Sequence, residues 1–236
     1  MGAISSAILA PLRAGGRVVA AKALFGSCRW IITNQMPKYG IETAFVDGAD
    51  LDAWERELAK GCQLVLIESP ANPLLDGVDI AAVAALCRKA GATLVVDNVF
   101  ATPCLQKPPE LGADVVVYSA TKHMDGQGRV MAGAILCDDK RMTEIYDPWL
   151  RHMGPAASPF NAWVVLKGLE TMQLRVEAKS RAAARLADAI ANHANVAAVR
   201  YPHRADHPRY EIHKRQMRMG GTMLALSVKG GQEAAF

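Results

Sequence analysis

The chain has 236 residues, of which 51% are hydrophobic and 21% charged, with a formal net charge of +4 at pH 7. This composition excludes an intrinsically disordered chain and predicts a globular protein with room for one large domain and part of a second. The mild charge gives no reason to expect nucleic-acid binding, and no apolar run approaches the roughly 20 residues of a membrane-spanning helix.

Helices and strands alternate through the first 137 residues. The predicted helices cover residues 4–13, 29–39, 50–60, 79–90 and 106–111, and the predicted strands cover 17–21, 42–47, 63–68, 93–98, 115–117 and 131–137. Such alternation implies right-handed βαβ crossovers and a mostly parallel sheet. The rest of the chain is predicted to be helical from residue 139, with a long helix over 170–193, a strand over 220–228 and a new helix from 233.

Two residues in the predicted loops are candidate ligand contacts. Phe25 follows the first strand, although a phenylalanine in such a loop is more often a core residue than a ligand contact. Asn72 lies between two prolines that hold a stiff loop after the strand over 63–68. An amide at the carboxyl end of a buried strand is well placed to touch a ligand, while an ordinary turn residue is the alternative.

Ionisable residues end or follow the next two strands. Asp97 ends a buried strand, so its carboxylate must be paired, bound to a cation or protonated. Lys122 follows the next strand with Ser119 and Thr121 just before it. Such a lysine can be neutralised as an imine with an aldehyde cofactor, and the two hydroxyls can hold a phosphate. A surface lysine with hydroxyls capping the next element is the alternative.

The second part of the chain holds basic residues and histidines. Basic residues recurring with helical spacing are predicted to form a solvated face: Arg175, Lys179 and Arg181. Prolines interrupt any shared helical face among three histidines that are predicted at the surface: His203, His207 and His213. The five cysteines form no Cys-x-x-Cys pair, so we expect no disulfide framework, no metal site and a reducing cytoplasm.

Three strand ends considered together resemble the Cys/Met-metabolism family of pyridoxal-phosphate enzymes over nearly the whole chain: Glu-Ser-Pro-Ala-Asn-Pro (68–73), Val-Val-Asp-Asn-Val-Phe-Ala-Thr-Pro (95–103) and Tyr-Ser-Ala-Thr-Lys-His (118–123). The resemblance implies the α/β fold-type I transferase architecture, with a mostly parallel seven-stranded-type sheet flanked by helices. It implies a cofactor-binding large domain over residues 1–173 without its N-terminal part. Residues 174–236 would begin a smaller, incomplete α/β C-terminal domain.

The resemblance also implies roles for individual residues. Lys122 matches the lysine that binds pyridoxal 5′-phosphate as a Schiff base and then moves protons. Asp97 matches the acid that pairs with the cofactor's pyridinium nitrogen, and Asn72 matches the amide near its phenolic oxygen. Phe25 stands where most relatives have a tyrosine that stacks on the pyridine ring.

The phosphate contacts are matched only in part. Ser119 and Thr121 match phosphate-binding hydroxyls, and Met1 matches the methionine of a Ser-Gly-Met phosphate turn whose other two residues are absent here. Relatives extend beyond both ends of this chain. Their additional parts donate a tyrosine and an arginine to a neighbouring subunit's phosphate and an arginine to the substrate carboxylate.

The loop after the lysine, Asp-Gly-Gln-Gly-Arg (125–129), most resembles the branch that converts O-succinylhomoserine and sulfide to homocysteine and succinate in methionine biosynthesis. The resemblance further implies a cytoplasmic homo-oligomer, a dimer of dimers. Cystathionine γ-synthesis, γ-elimination and a truncated inactive member remain open. A nucleotide-dependent oxidoreductase is disfavoured, because Gly126-x-Gly128 lacks the third glycine of a dinucleotide-binding loop.

Overall fold

The computed structural model describes residues 1–235, and Phe236, predicted within the terminal helix, lies outside them. The strands of the large sheet are β1 (Arg17–Ala21), β2 (Glu42–Val46), β3 (Leu64–Glu68), β4 (Thr93–Asp97), β5 (Val115–Ser119) and β6 (Gly133–Cys137). They lie in the order β2-β1-β3-β4-β5-β6, where β1 to β5 are parallel and β6 is antiparallel to β5. The predicted mostly parallel sheet is therefore confirmed, with six strands among the described residues rather than seven.

Helices connect and follow these strands. They are α1 (Gly2–Leu9), α2 (Gly26–Trp30), α3 (Leu51–Leu58), α4 (Ile80–Ala90), α5 (Thr102–Leu105), α6 (Asp139–Arg141), α7 (Asp147–Met153), α8 (Pro159–Leu169), α9 (Met172–Ile190), α10 (Tyr210–Gln216) and α11 (Gly231–Ala235). A π-helical turn extends α2, and a 3₁₀ turn then ends at Tyr39. A second, two-stranded antiparallel sheet pairs β7 (Val196–Arg200) with β8 (Ala225–Val228). Strand β7 was not predicted, and α10 lies in the part predicted to be helical from residue 139, without bounds of its own.

Alternation along the strands divides the core between the two faces of the large sheet. One face packs on α1 and α2 through residues including Leu64, Leu66, Val95, Val115 and Val117. The opposite face packs on α3 and α4 through residues including Val65, Ile67, Leu94 and Val96. Because side chains alternate, Glu68, Asp97 and Ser119 continue the first of these rows at the strand ends. The sequence thus places three polar side chains on the α1 face.

Local capping explains where the helices beside the sheet begin. The Asp50 carboxylate accepts the Ala53 N–H at 2.8 Å and so caps α3. Asp79 caps α4 in the same way through the Ala82 N–H. Such caps satisfy backbone donors that the first helical turn leaves free.

The prediction that the histidines lie at the surface is wrong for His207 and His213, which are buried. The reason is α10, which packs against the loop between β3 and α4. His213 Nε2 lies 3.0 Å from the Leu75 carbonyl oxygen, and the Gln216 side chain bonds to Ile80 N–H and the Val78 carbonyl. Burial lowers the pKa of His213 to about 3, so this histidine is neutral at physiological pH.

No helix within residues 1–235 is long and apolar enough to cross a membrane. The same residues contain no group of three or more His, Cys, Asp or Glu side chains that could hold a metal ion. The predicted domain boundary near residue 173 stays a prediction; α9 begins there, at Met172.

Candidate active site

The candidate site lies where the direction of strand addition reverses in the sheet. The chain passes from β1 to β2 on one side and then returns to place β3 on the other side of β1. Loops that follow strands on the two sides of such a point diverge and leave a crevice at the carboxyl ends, where open α/β sheets bind ligands. Phe25 follows β1 and Asn72 follows β3, so these two predicted contacts lie in the two diverging loops.

The two loops are joined by Glu68, a residue to which the sequence assigned no role. Its carboxylate accepts the Asn72 backbone N–H at 3.0 Å through Oε1 and the Phe25 backbone N–H through Oε2. Glu68 is only 1% exposed. The structure therefore brings Phe25 and Asn72 together through one buried acid.

Two acids end neighbouring strands at this point. Glu68 of β3 and Asp97 of β4 are in register and face the same side of the sheet. Burial raises the pKa of Asp97 to about 6, and the Val99 N–H, bonded to Oδ1 at 3.1 Å, opposes that shift. Burial also raises the pKa of Glu68, with the Asp97 charge as a further cause, and the hydrogen bonds from the Asn72 and Phe25 N–H groups oppose that shift. Glu68, which is buried, and Asp97, which is half-buried, together form an acidic floor that has no salt bridge within residues 1–235.

Lys122 lies in the turn that follows β5, the strand that pairs with β4. Its N–H donates to the Ser119 carbonyl at 3.0 Å, and its side chain is exposed. The Ser119 hydroxyl has no hydrogen bond among the described residues and is half-buried. The Thr121 hydroxyl donates to the Ala132 carbonyl at 3.2 Å and accepts the Ala132 N–H at 3.0 Å. The contact of Thr121 with a phosphate stays a prediction. It would require the Thr121 hydroxyl to give up the hydrogen bond that it donates to the Ala132 carbonyl.

The remaining predicted contacts are Met1, Phe25 and Asn72. Met1 precedes α1, which packs against β4, the strand that ends at Asp97. The Phe25 ring is 42% exposed, and Asn72 is half-buried. Both peptide bonds preceding the prolines around Asn72 are cis.

A buried network of polar side chains joins the residues that follow the two acids in the chain. The Asn98 side chain donates to the Tyr118 hydroxyl at 3.0 Å and to the Gln106 carbonyl at 3.0 Å. The Gln106 amide donates to the Asn98 side chain at 2.8 Å and to the Ser69 carbonyl at 2.7 Å. Amides at both ends of a predicted loop were the only sequence signal for this network. It fixes the strand ends that bear Glu68 and Asp97.

Arg175 clamps the loop after Lys122 and corrects the prediction that it belongs to a solvated face. Its guanidinium donates to the carbonyls of His123 at 2.9 Å, Met124 at 3.3 Å and Gly168 at 2.7 Å. A Cβ at Gly168 would lie 2.2 Å from the Met124 carbonyl oxygen, so α8 approaches this loop as only glycine allows. Helical spacing alone could not reveal a contact 52 residues away in sequence.

We expect Arg175→Ala to destabilise the Lys122 loop. The substitution removes charge-assisted hydrogen bonds to three carbonyls, and we expect the free energy of unfolding to fall by about 2 kcal/mol. Chemical denaturation measures this loss. Arg181→Ala on the same helix is the matched control, because Arg181 is exposed and makes only a 3.6 Å ion pair with Glu177. Equal stability of the two variants would contradict the clamp.

The loop over 125–129 is closed by an internal ion pair. The Asp125 side chain is fully buried and accepts the Arg129 N–H and Nε–H, each at 2.7 Å. Arg129 itself remains partly exposed. The loop that carried the resemblance to one branch of the family thus has a defined conformation next to the Lys122 turn.

Comparison with known proteins places these features in a family. Residues 1–236 match the family model described as Cys/Met metabolism PLP-dependent enzyme. The chain is 49% identical over 235 residues to the O-succinylhomoserine sulfhydrylase of Mycobacterium tuberculosis, covering 100% of this chain and 58% of that protein. It is 39% identical over 236 residues to the L-methionine gamma-lyase of Fusobacterium nucleatum, covering 99% of this chain and 60% of that protein.

A solved structure shows the same fold. Cystathionine gamma synthase from Xanthomonas oryzae, in complex with aminoacrylate and cysteine, superimposes with a TM-score of 0.95 at 34% identity, covering 100% of this chain and 61% of that one. The predicted α/β fold of this enzyme class is confirmed. The chain spans about three-fifths of the length of the relatives it matches.

Proposed function

Because the chain belongs to the Cys/Met-metabolism family of PLP-dependent enzymes, we propose that it serves γ-replacement on O-succinylhomoserine with sulfide, giving homocysteine and succinate. The predicted cofactor, pyridoxal 5′-phosphate, is confirmed at the level of the family. The 49% identity to a sulfhydrylase supports the substrate assignment. Since the chain spans 58% of that relative, the activity of the whole protein is part of the proposal.

The acidic floor of Glu68 and Asp97 is the observation that carries the proposal. A buried carboxylate is costly unless a cation or a proton compensates it. Asp97 and Glu68 have no salt bridge within the described residues, and burial raises the pKa of each. Asp97 would hold a protonated pyridine nitrogen, which would supply a compensating positive charge. The residues present therefore fit the cofactor.

We propose the remaining roles from the resemblance of these positions to the family's motifs. Lys122 would hold the cofactor's aldehyde carbon and, once released by the substrate amine, move protons at the substrate's Cα and Cβ. Phe25 would cover the ring face, and Asn72 would bond to the phenolic oxygen. When bound, pyridoxal phosphate supplies the electron sink for the negative charge that proton removal leaves on the substrate.

The phosphate would be held by groups at the other side of the site. The Ser119 hydroxyl is free to donate, and Thr121 would donate after exchanging its bond to Ala132. Met1 precedes the first turn of α1, whose backbone N–H groups favour anions. We propose these three residues as the share of the phosphate site that this chain provides.

A second function is favoured by the relatives. The Fusobacterium relative is a methionine gamma-lyase and the superimposed structure is a cystathionine gamma synthase. Product analysis with O-succinylhomoserine separates the three reactions. We expect homocysteine with sulfide as the second substrate. Cystathionine formed preferentially from cysteine, or an oxo acid and ammonia formed without a thiol, would replace the proposal with synthase or lyase activity.

We also propose that the chain works as a homo-oligomer, a dimer of dimers. The support is an apolar face of α8 that stays exposed: Phe160 is 66%, Trp163 55% and Leu166 58% exposed. Exposed apolar patches of this kind mark protein interfaces.

A further inference from the structure

The Glu68 side chain connects two loops that lie on opposite sides of the crevice. It ends β3 at the reversal point of the sheet, and each of its two carboxylate oxygens accepts a backbone N–H from a different loop. One loop follows β1 and carries Phe25, and the other follows β3 and carries Asn72. A single side chain therefore sets the distance between the loops on the two sides of the crevice.

The Glu68 side chain cannot be replaced by its nearest analogues without losing one of these bonds. A glutamine offers one oxygen, and its NH₂ group would face a backbone N–H donor. An aspartate is one methylene shorter and cannot reach both donors from the same backbone position. The two bonds thus require a carboxylate at the length of glutamate.

The surroundings of Glu68 tie its position to the acid proposed to meet the ring nitrogen. Glu68 and Asp97 are in register on neighbouring strands and share a sheet face. The Asn98–Gln106 network holds the Ser69 carbonyl, one residue beyond Glu68. Because both strand ends are fixed, the two loops are held at a set position relative to Asp97.

We infer that Glu68 is a positioning residue of the site, which orients Phe25 and Asn72 over Asp97 for a planar, anionic pyridine cofactor. The inference rests on the proposed function and deepens it. Glu68 acts through the two backbone N–H groups it accepts. It therefore affects cofactor affinity through the positions of the Phe25 and Asn72 side chains.

Amide hydrogen exchange on the cofactor-free 236-residue chain tests the bracing itself. In Glu68→Gln we expect at least one of the Phe25 and Asn72 amides to exchange about tenfold faster, as loss of one hydrogen bond predicts. The Ala53 amide, bonded to Asp50, should be unchanged. Glu55→Gln is the control, because Glu55 is exposed and pairs with Lys89. Unchanged exchange at both amides would overturn the inference.

Titration with pyridoxal phosphate, followed by its visible absorbance, tests the consequence. We expect Kd to rise about tenfold in Glu68→Gln, and to rise much less when the same change is made in a Phe25→Ala, Asn72→Ala background. Equal rises in both backgrounds would show a structural role only and overturn the inference. Should Glu68→Gln fail to fold, Glu68→Asp decides by the same two measurements. A wild-type chain that binds no cofactor would contradict the proposed function, while the exchange result still judges the bracing.

Discussion

Replacing Lys122 with alanine is expected to abolish turnover and leave any bound cofactor without a covalent link to the chain. The expected loss is at least about 10³-fold, because a positioned general base alone contributes about 10² to 10⁴-fold and no other lysine follows β5 directly. Turnover is measured by release of succinate from O-succinylhomoserine. Borohydride reduction followed by peptide mass analysis should find the cofactor's mass on the peptide that contains Lys122 in the wild type, and on no peptide of the variant.

Lys140→Ala is the matched control for this experiment. Lys140 is also exposed and also follows a strand of the large sheet, but it lies after β6 at the edge of the sheet. We expect the control to keep wild-type turnover and the cofactor's mass on Lys122. Turnover by Lys122→Ala, or the cofactor's mass on a different lysine, would refute the assignment of the catalytic lysine.

The elements of the large sheet follow from local patterns that tertiary packing does not override. Runs such as Val115–Val117 are buried on both faces of a parallel sheet, so their near-continuous hydrophobicity marks them as strands. Asp50 and Asp79 cap helices that begin one residue later. Strand β7 was missed because Val196–Arg200 is short and partly exposed, and it depends on pairing with β8 for its hydrogen bonds.

The site was predictable only where a residue's chemistry is unusual for its position. Asp97 and Lys122 are charged residues that end or follow buried strands, and the need to neutralise them pointed to a ligand. Glu68 has the same signal but was assigned no role, because its partners are backbone N–H groups that no sequence pattern reveals. The roles of Arg175 and His213 depend on contacts 52 and 138 residues away, which helical spacing cannot predict.

Replacing Asp97 with asparagine is expected to stabilise the cofactor-free chain and impair the site at the same time. Burial raises the pKa of Asp97 from 3.8 to about 6. Between about pH 4 and pH 6 the folded chain therefore holds a proton that the unfolded chain releases. The wild type therefore loses stability as pH rises from about 4 to about 6, and the penalty is complete at neutral pH. At about 1.4 kcal/mol per pKa unit, the ionised Asp97 lowers the free energy of unfolding at neutral pH by on the order of 3 kcal/mol.

Asparagine keeps the acceptor for the Val99 N–H and removes the charge. Chemical denaturation should therefore show a higher free energy of unfolding for the variant than for the wild type at pH 7, and no such difference at pH 4. Asp52→Asn, at an exposed position in α3, should show no such pH-dependent gain. Because an amide cannot compensate a protonated ring nitrogen, we expect turnover to fall at least about 10²-fold, as when a charge-stabilising group is removed from an active site. A variant that gains no stability at pH 7 would contradict the assignment of an uncompensated charge to the Asp97 carboxylate. A variant with normal turnover would contradict its pairing with the ring nitrogen.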